Sequence, residues 1–323
     1  MSKLSLSVVI PNFNGRDLLE RHLPSVFNAL QLSLLQHEVI VADDSSSDES
    51  VSFLKARFPS VVIVEGQATK GFSANINRGF RKAKNDLVLA LNNDASLAPN
   101  YFHSLLKYFS EPETFGVMGA LWDRELSRLA DSAKVCEQSW LGIFRSTKNL
   151  MIVDKNALLT FFLSGANALM DRKKLEQIGF FDEIFSPFYN EDVDLGLRAW
   201  RMGWKCYFEP EAKAYHSASS TIAKHNTPKK IRTISLRNRL ILHDIHLSST
   251  KRFLFFSKLT WDCLTRWMIG DFTYYRAIVD FWRLKDKVNK SRRNFEDKKP
   301  VFSTQEVVSF LKKQQRNPQM KTF

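Results

Sequence analysis

The segment LALNND, residues Leu89–Asp94, ends an apolar run on three consecutive polar side chains. The apolar run predicts a buried strand, and the polar residues then lie where that strand ends. In open α/β sheets, ligands bind outside the carboxyl ends of the strands. One carboxylate with two amide neighbours suits a divalent cation, which prefers oxygen ligands. A strand that ends in an ordinary polar turn explains the same residues, because Asn and Asp are common in turns.

Two earlier strands are predicted to end in the same way. Leu6–Ile10 and Glu38–Ala42 are short apolar runs, and amphipathic segments with helical spacing separate the predicted strands. Strands that alternate with helices predict βαβ units around a mostly parallel sheet. Because parallel strands end at one edge of a sheet, we expect the polar residues that follow them to converge. These residues are Asn12, Asn14, Asp43, Asp44, Asn92, Asn93 and Asp94.

The later motif NEDVD places Glu191, Asp192 and Asp194 at the start of a predicted helix. Acids are favoured there by the helix dipole, so capping explains one or two of them. A carboxylate at a helix start beside a cleft can also act as a general base. His216 follows a predicted strand and is either a metal ligand or a structural histidine. Gly165 interrupts another apolar stretch, where a small residue lets a ligand approach closely.

Composition and motifs exclude several classes of protein. The chain has 323 residues, 44% of them hydrophobic, enough for one large domain or two modest ones. The dinucleotide fingerprint GxGxxG and the P-loop are both absent, which disfavours an NAD-binding fold and an NTPase. Three widely spaced cysteines form no zinc pattern and favour a reducing compartment. We expect neither a signal peptide nor a membrane span, because no long uncharged apolar run occurs.

The net charge of +13 is concentrated at one end of the chain. From Lys224 to Phe323, 23 Lys and Arg stand against 8 Asp and Glu, a net charge of +15. Trp261, Trp267 and Trp282 also lie in this region. Basic helices rich in aromatic residues often lie in a membrane interface, so we favour membrane contact. Packing of these helices on the core is the alternative, and nucleic-acid binding is a third interpretation that no recognised motif supports.

Seven blocks of the sequence, taken in order, resemble the inverting glycosyltransferases of family 2, which have the GT-A fold. The blocks are SVVIPNFN, IVADDSSSDES, KGFSANINRGF, LALNNDA, SGANALMDRKKLEQIGFFDE, NEDVDLGLRAWRMGW and EAKAYH. The resemblance covers roughly Leu6 to Thr221 and is nearest to the rhamnosyltransferase-like branch that builds bacterial surface polysaccharides. It implies an α/β GT-A domain over residues 1–223, with a mostly parallel central sheet flanked by helices. Residues 224–323 are expected to form a basic, aromatic-rich helical extension.

The resemblance also implies roles for individual residues. Asp94 ends a DxD-type metal motif in which Asn92 replaces the first acid, so metal binding is expected to be weaker than for a full DxD. His216 is expected to complete the metal site. In the pair Glu191-Asp192, Asp192 matches the catalytic base. The expected nucleotide-sugar residues are Pro11, Asn12, Asn14, Asp43, Asp44, Lys70, Gly71, Asn75, Asn77, Asn92, Asn93 and Asp94. The expected sugar-pocket residues are Gly165, Ala166 and Trp204.

These roles imply single displacement with inversion at the anomeric carbon of a nucleotide-diphosphate sugar. Asp192 takes the acceptor proton, while Mg²⁺ or Mn²⁺ neutralises the departing diphosphate. The implied acceptor is a glycan attached to a polyprenol, which predicts a peripheral protein on the cytoplasmic face of a membrane. A non-catalytic glycan- or membrane-binding protein on the same scaffold is the alternative. A nucleotidyltransferase is disfavoured because the Gly-rich triphosphate loop is missing.

Overall fold

The computed structural model describes most of the chain. The described residues are 4–68, 71–123, 128–139, 144–145, 149–152, 158–216, 226–314 and 320–322. Lys70, which was expected to contact the nucleotide, lies outside them, as does the expected boundary between residues 223 and 224. The division of the chain at that boundary therefore stays a prediction.

One large sheet forms the centre of the fold, and its strands run mostly in one direction. Its strands are β1 (Ser5–Asn12), β2 (Gln36–Asp43), β3 (Val62–Glu65), β4 (Leu87–Leu91), β5 (Ala95–Leu97), β6 (Thr114–Asp123), β7 (Arg128–Asp131), β12 (Leu158–Leu159), β13 (Asn167–Asp171) and β14 (Lys205–His216). Two smaller sheets are formed by β9 (Glu137–Gln138) with β10 (Phe144–Arg145), and by β8 (Ala133–Lys134), β11 (Asn149–Ile152) and β15 (Met320–Thr322). The central order is β12-β14-β6-β13-β4-β1-β2-β3, with β5 against β14 and β7 against β6. Among the central strands, β13 runs antiparallel to both of its neighbours.

Helices cover both faces of this sheet. The helices up to residue 201 are α1 (Arg16–Ser33), α2 (Ser50–Arg57), α3 (Phe72–Lys82), α4 (Tyr101–Leu105), α5 (Arg172–Ile178) and α6 (Glu191–Arg201). Successive residues of β1 point to opposite faces, so Val8 joins the apolar cluster that contains Leu23 of α1, whereas Val9 joins the cluster of Phe80 in α3. Both clusters are buried, which explains why the strand sequences are continuously apolar.

Strand β14 is longer than its sequence pattern predicts, and the additional residues include His216. The apolar run near Lys205–Phe208 predicts a short strand, whereas β14 continues to His216. A register irregularity between Glu209 and Lys213 lets the strand keep pairing with β6. As a result His216 lies opposite Asp123 of β6 on one side and Ala95 of β5 on the other.

The basic C-terminal region is helical, as predicted, and packs against the sheet domain. Its helices are α7 (Pro228–His246), α8 (Ser249–Arg266), α9 (Phe272–Arg283), α10 (Lys285–Glu296) and α11 (Thr304–Gln314). Ile241 of α7 and Phe281 of α9 belong to the same buried cluster as Phe115 and Met118 of the sheet. The two regions therefore share one hydrophobic core. None of the described helices has the length and apolar character that crossing a bilayer needs.

A buried charged triad joins α6 to α7. The carboxylate of Asp194 lies 2.7 Å from the Arg198 guanidinium and 2.8 Å from Nε2 of His246. Arg198 also donates to the carbonyls of Ile178 and Phe180, at 2.8 Å each. These partners lower the pKa of Asp194 below its usual value although the side chain is buried. The triad thus fixes the helix that begins at Glu191 against both α5 and the C-terminal helices.

We predict that Arg198→Gln lowers the free energy of unfolding by about 3 kcal/mol, because it leaves a buried carboxylate with one partner fewer. The matched control is Arg276→Gln, which breaks an Asp–Arg pair of the same spacing on an exposed surface. That control should cost less than about 1 kcal/mol. Urea unfolding followed by circular dichroism measures both values, and equal losses would contradict the role given to the triad.

Candidate active site

Polar side chains from three strand ends meet at one edge of the sheet. Nδ2 of Asn12 donates to Oδ2 of Asp43 at 2.9 Å, which joins the ends of β1 and β2. Nδ2 of Asn93 donates to Oδ1 of Asn12 at 2.8 Å, which adds the segment after β4. Pro11 and Asn12 pair in register with Ala42 and Asp43. The convergence expected for parallel strand ends is present for these residues.

The second acid of the pair at the end of β2 is fixed from two sides. Oδ1 of Asp44 lies 2.9 Å from the Arg78 guanidinium, and its Oδ2 accepts from the Gly71 amide at 2.9 Å. Gly71 has a φ of +90°, and a Cβ there would lie 2.6 Å from Cα of Pro187. Asn75 donates to the carbonyl of Ala42 at 2.8 Å. Gly71 and Asn75 therefore belong to this group.

Two of the expected nucleotide-binding residues, Asn14 and Asn77, hold neighbouring segments of the protein together. Asn14 has a φ of +48°, and its side-chain oxygen accepts from the Ser47 amide at 2.7 Å, which holds the loops after β1 and β2 together. Asn77 donates to the carbonyl of Phe181 at 2.8 Å and accepts from the amide of the same residue. The side chain of Asn77 thus joins α3 to the segment after α5.

Asp94 and His216 form a pair suited to a divalent cation. Oδ2 of Asp94 lies 3.1 Å from Nε2 of His216. Oδ1 of Asp94 is buried and has no hydrogen-bond partner among the described residues. A carboxylate oxygen and an imidazole nitrogen are both cation ligands, so this donor set fits Mn²⁺ or Mg²⁺ with nucleotide oxygens completing the shell. Across the described ranges, no group of three or more His, Cys, Asp and Glu side chains has metal-binding geometry.

The acids at the start of α6 form a second polar group. Tyr189 and Asn190 both have positive φ, of 75° and 73°, so the chain turns sharply before Glu191. Burial raises the pKa of Asp192 and, more strongly, that of Glu191, where the neighbouring carboxylate adds repulsion. Oε2 of Glu191 is buried and has no hydrogen-bond partner among the described residues. At neutral pH the negative charge of this pair therefore resides mainly on Asp192.

Three charged residues that the sequence analysis did not identify influence the pKa of Asp192, of His216 or of both. Asp131 at the end of β7 forms an ion pair with Lys134. The pKa of His216 is raised mainly by its hydrogen bond to Asp94, and the charge of Asp131 adds to this effect. The charges of Lys134 and Asp131 act in opposite directions on the pKa of Asp192. Asp123 is buried beside His216 and raises its pKa further. Asp123 ends a strand, so the rule applied to Asp43 and Asp94 identifies it as well.

The three residues expected in the sugar pocket do not lie together in the structure. Ala166 accepts the Asn92 amide through its carbonyl at 3.1 Å, and Gly165 lies against Phe72 at the start of α3. Both therefore border the polar edge. Trp204 precedes β14, at the opposite end of that strand from His216, and it stacks on Phe115 with ring centroids 6.1 Å apart. The expectation for Trp204 is wrong, because it packs at the other edge of the sheet.

Sequence comparisons place these features in a family. The profile of Glycosyl transferase family 2 matches residues 7–179. The chain is 28% identical over 243 residues to a chondroitin synthase of Escherichia coli, which covers 65% of this chain and 34% of that protein. It is 25% identical over 245 residues to the N-acetylglucosaminyl-diphospho-decaprenol L-rhamnosyltransferase of Mycobacterium tuberculosis, covering 67% of this chain and 77% of that protein. The chain thus spans about a third of the first relative and most of the second.

Solved structures agree on the fold. GalNAc-T7, solved with UDP, GalNAc and Mn²⁺, matches 95% of this chain and 56% of its own with a TM-score of 0.66 and 15% identity. A mannosyltransferase of Pyrobaculum calidifontis, in complex with GDP-Man and Mn²⁺, matches 97% of this chain and 85% of its own with a TM-score of 0.53 and 14% identity. The predicted GT-A fold is confirmed, and the chain belongs to Glycosyl transferase family 2.

Proposed function

We propose that this protein is an inverting, metal-dependent transferase that moves a sugar from a nucleoside-diphosphate sugar to a hydroxyl group of a glycan acceptor. The observation that supports this most directly is that one carboxylate, that of Asp131, acts electrostatically on both Asp192 and His216. A base and a cation-binding pair that share one neighbour can face one substrate from two sides. Transfer with inversion needs that arrangement, because the nucleophile enters opposite the departing diphosphate.

The donor would lie along the polar edge of the sheet. Asp43 and Asp44 are buried acceptors at the end of β2 and suit the base and ribose of a nucleotide. Arg78 restrains Asp44 through its ion pair. The Gly71 amide binds the same carboxylate, which orders the start of α3 beside the donor. These contacts prepare the donor pocket before any ligand enters, which lowers the ordering cost of binding.

Asp94 and His216 would hold the divalent cation together with the donor diphosphate. The cation, when bound, neutralises charge that develops on the leaving diphosphate. Asn92 and Asn93 add polar side chains without charge, so Asp94 supplies the carboxylate of this motif. The buried, unpartnered Oδ1 of Asp94 supports the assignment, because a buried carboxylate oxygen requires a partner.

Asp192 would accept the proton of the attacking hydroxyl. Its pKa is raised by burial, which brings its basicity closer to that of a proton acceptor working near neutral pH. Glu191 is adjacent to Asp192 in the chain, so its side chain leaves the helix in another direction. The two carboxylates therefore do not form a pair that could flank the glycosidic bond of a substrate. A single base without a second nucleophilic carboxylate fits one displacement step.

The acceptor is proposed to be a polyprenol-linked glycan in the synthesis of a surface polysaccharide. Support comes from the mycobacterial relative, whose name specifies a diphospho-decaprenol substrate. Cys136, Cys206 and Cys263 form no disulfide among the described residues, which fits a reducing compartment and hence the cytoplasmic face of a membrane.

Replacing Asp192 by Asn should lower kcat by about 10²–10⁴-fold while leaving donor binding intact, because the amide cannot accept the proton. The matched control is Asp86→Asn, which removes a carboxylate that binds Ser5 at the opposite edge of the sheet. Release of the nucleoside diphosphate, screened over a panel of nucleotide sugars, measures transfer, and calorimetry measures donor binding. Full transfer by the Asp192 variant would remove the assignment of the base.

The pH dependence should follow the same carboxylate. Asp192 acts as a base only when ionised, so kcat/KM should fall as the pH drops below about 6, its raised pKa, and should hold above it. The profile is measured at saturating Mn²⁺, with donor binding followed by calorimetry over the same range. An unchanged kcat/KM down to pH 5 would contradict this role.

The metal site can be tested by exchanging amide and carboxylate groups of nearly equal size. Asp94→Asn should weaken Mn²⁺ binding in the presence of the nucleotide by at least about tenfold, because a charged ligand is lost. Asn92→Asp should strengthen it, because a second carboxylate enters the motif. Titration calorimetry with Mn²⁺ measures both. Equal Mn²⁺ affinity in the wild type and the Asp94 variant would exclude this site.

A further inference from the structure

The outward face of α8 and of the turn after it is strongly apolar. Phe253, Trp261, Leu264, Trp267 and Met268 are each between 66% and 79% exposed, and together they form what we term the apolar stripe. Along α8 these residues lie opposite the buried side chains of the helix, which are Phe255 and Leu259. At 1.5 Å per residue the stripe is about 20 Å long. An exposed apolar surface of this kind marks an interaction site.

The charges of this segment point away from the stripe. Lys258, Asp262 and Arg266 are partly buried, and each forms an ion pair: Lys258 with Asp262, and Arg266 with Asp271. Every residue from 253 to 268 is described, and its exposed side chains are apolar or carry a hydroxyl group. A helix in such a basic region ordinarily exposes its lysines and arginines, so this distribution distinguishes α8 from its surroundings.

The hydroxyl groups on the same face are already satisfied within the helix. Ser257 donates to the carbonyl of Phe253 at 3.1 Å, and Thr260 donates to that of Phe256 at 3.1 Å. Thr265 donates to the carbonyl of Trp261 at 3.2 Å. A hydroxyl that keeps its hydrogen bond can leave water at little cost. The whole face is therefore suited to an apolar medium that offers no hydrogen-bond partners.

A basic pocket lies at the end of the stripe. Lys229, Arg232 and Arg266 line it together with Asp271, next to Gly270 and Phe272. Arg232 and Arg266 share the single carboxylate of Asp271, at 2.8 Å each, so the pocket keeps a net positive charge. Positive charge beside an apolar surface complements an anionic phospholipid, whose phosphate and acyl chains have the same arrangement.

We propose that the apolar stripe and this pocket dock the protein on an anionic phospholipid bilayer, with α8 lying in the interface. The proposal rests on the proposed function, since a polyprenol-linked acceptor must be reached at a membrane surface. A second copy of the chain is the other occupant that such a face could take. The net charge of +13 disfavours it, because two copies that each carry a basic pocket at the end of the stripe repel each other.

Vesicle binding by the full chain tests the proposal. Sucrose-loaded vesicles of phosphatidylglycerol and phosphatidylcholine in equal parts should bind the wild type, and phosphatidylcholine alone should bind it less. The double variant Trp261→Ser/Trp267→Ser should lose at least about tenfold in vesicle affinity, because two exposed aromatic anchors are removed. Lys229→Glu should weaken binding to the anionic vesicles selectively. Leu32→Ser, which removes an apolar side chain on α1 that is 59% exposed, is the matched control and should bind as the wild type does.

Further measurements separate this proposal from the proposed function. Asp192→Asn should bind vesicles normally, and the double tryptophan variant should keep its melting temperature and its affinity for the donor nucleotide. A wild type that ignores anionic vesicles would overturn the docking proposal and leave the transfer reaction untouched. A double variant that binds vesicles normally would overturn it too, as would one whose only change is dissociation of a dimer in analytical ultracentrifugation.

Discussion

The arrangement of the site depends on the contacts that the buried carboxylate of Asp194 forms with Arg198 and His246. A charge in a protein interior is costly unless it is paired, and here Arg198 and His246 bind it from α6 and α7. Asn238 reinforces the same junction, because its amide lies within 2.6–2.9 Å of three carbonyls in the loop before Glu191. The proposed base, Asp192, is consequently positioned by the C-terminal helices as much as by the sheet domain.

Much of the fold could be predicted from the sequence because parallel strands impose a simple geometry. Apolar runs followed by polar residues identified β1, β2 and β4, and their ends meet as expected. The antiparallel insertion of β13 between β4 and β6 could not be read in this way, because a buried strand is apolar in either direction. The full length of β14 was missed for a related reason: its irregular pairing interrupts the alternation that identifies a strand.

The candidate site divides along similar lines. Asn12, Asp43 and Asp94 were found because a local rule applies to each of them. Asp131 and Lys134 could not be found in this way, since their position depends on the pairing of β7 with the end of β6, the strand that also pairs with His216. Trp204 was misplaced because a family block does not tell at which end of a strand its aromatic residue packs. Local sequence rules identify residues at the end of a strand or helix. Residues that reach the site only through tertiary contacts can be identified only from the three-dimensional structure.

The junction between α6 and α7 also bears on how the protein matures during translation. His246 leaves the ribosome 52 residues after Asp194, the carboxylate it binds. The contacts that join Asn12, Asp43 and Asn93 lie within the first 93 residues, so they can form in the nascent chain much earlier. A nascent chain can thus order part of the polar sheet edge first and fix its proposed base only when the C-terminal helices emerge. Synthesis in this order separates, in time, the folding of the sheet edge from the positioning of the proposed base.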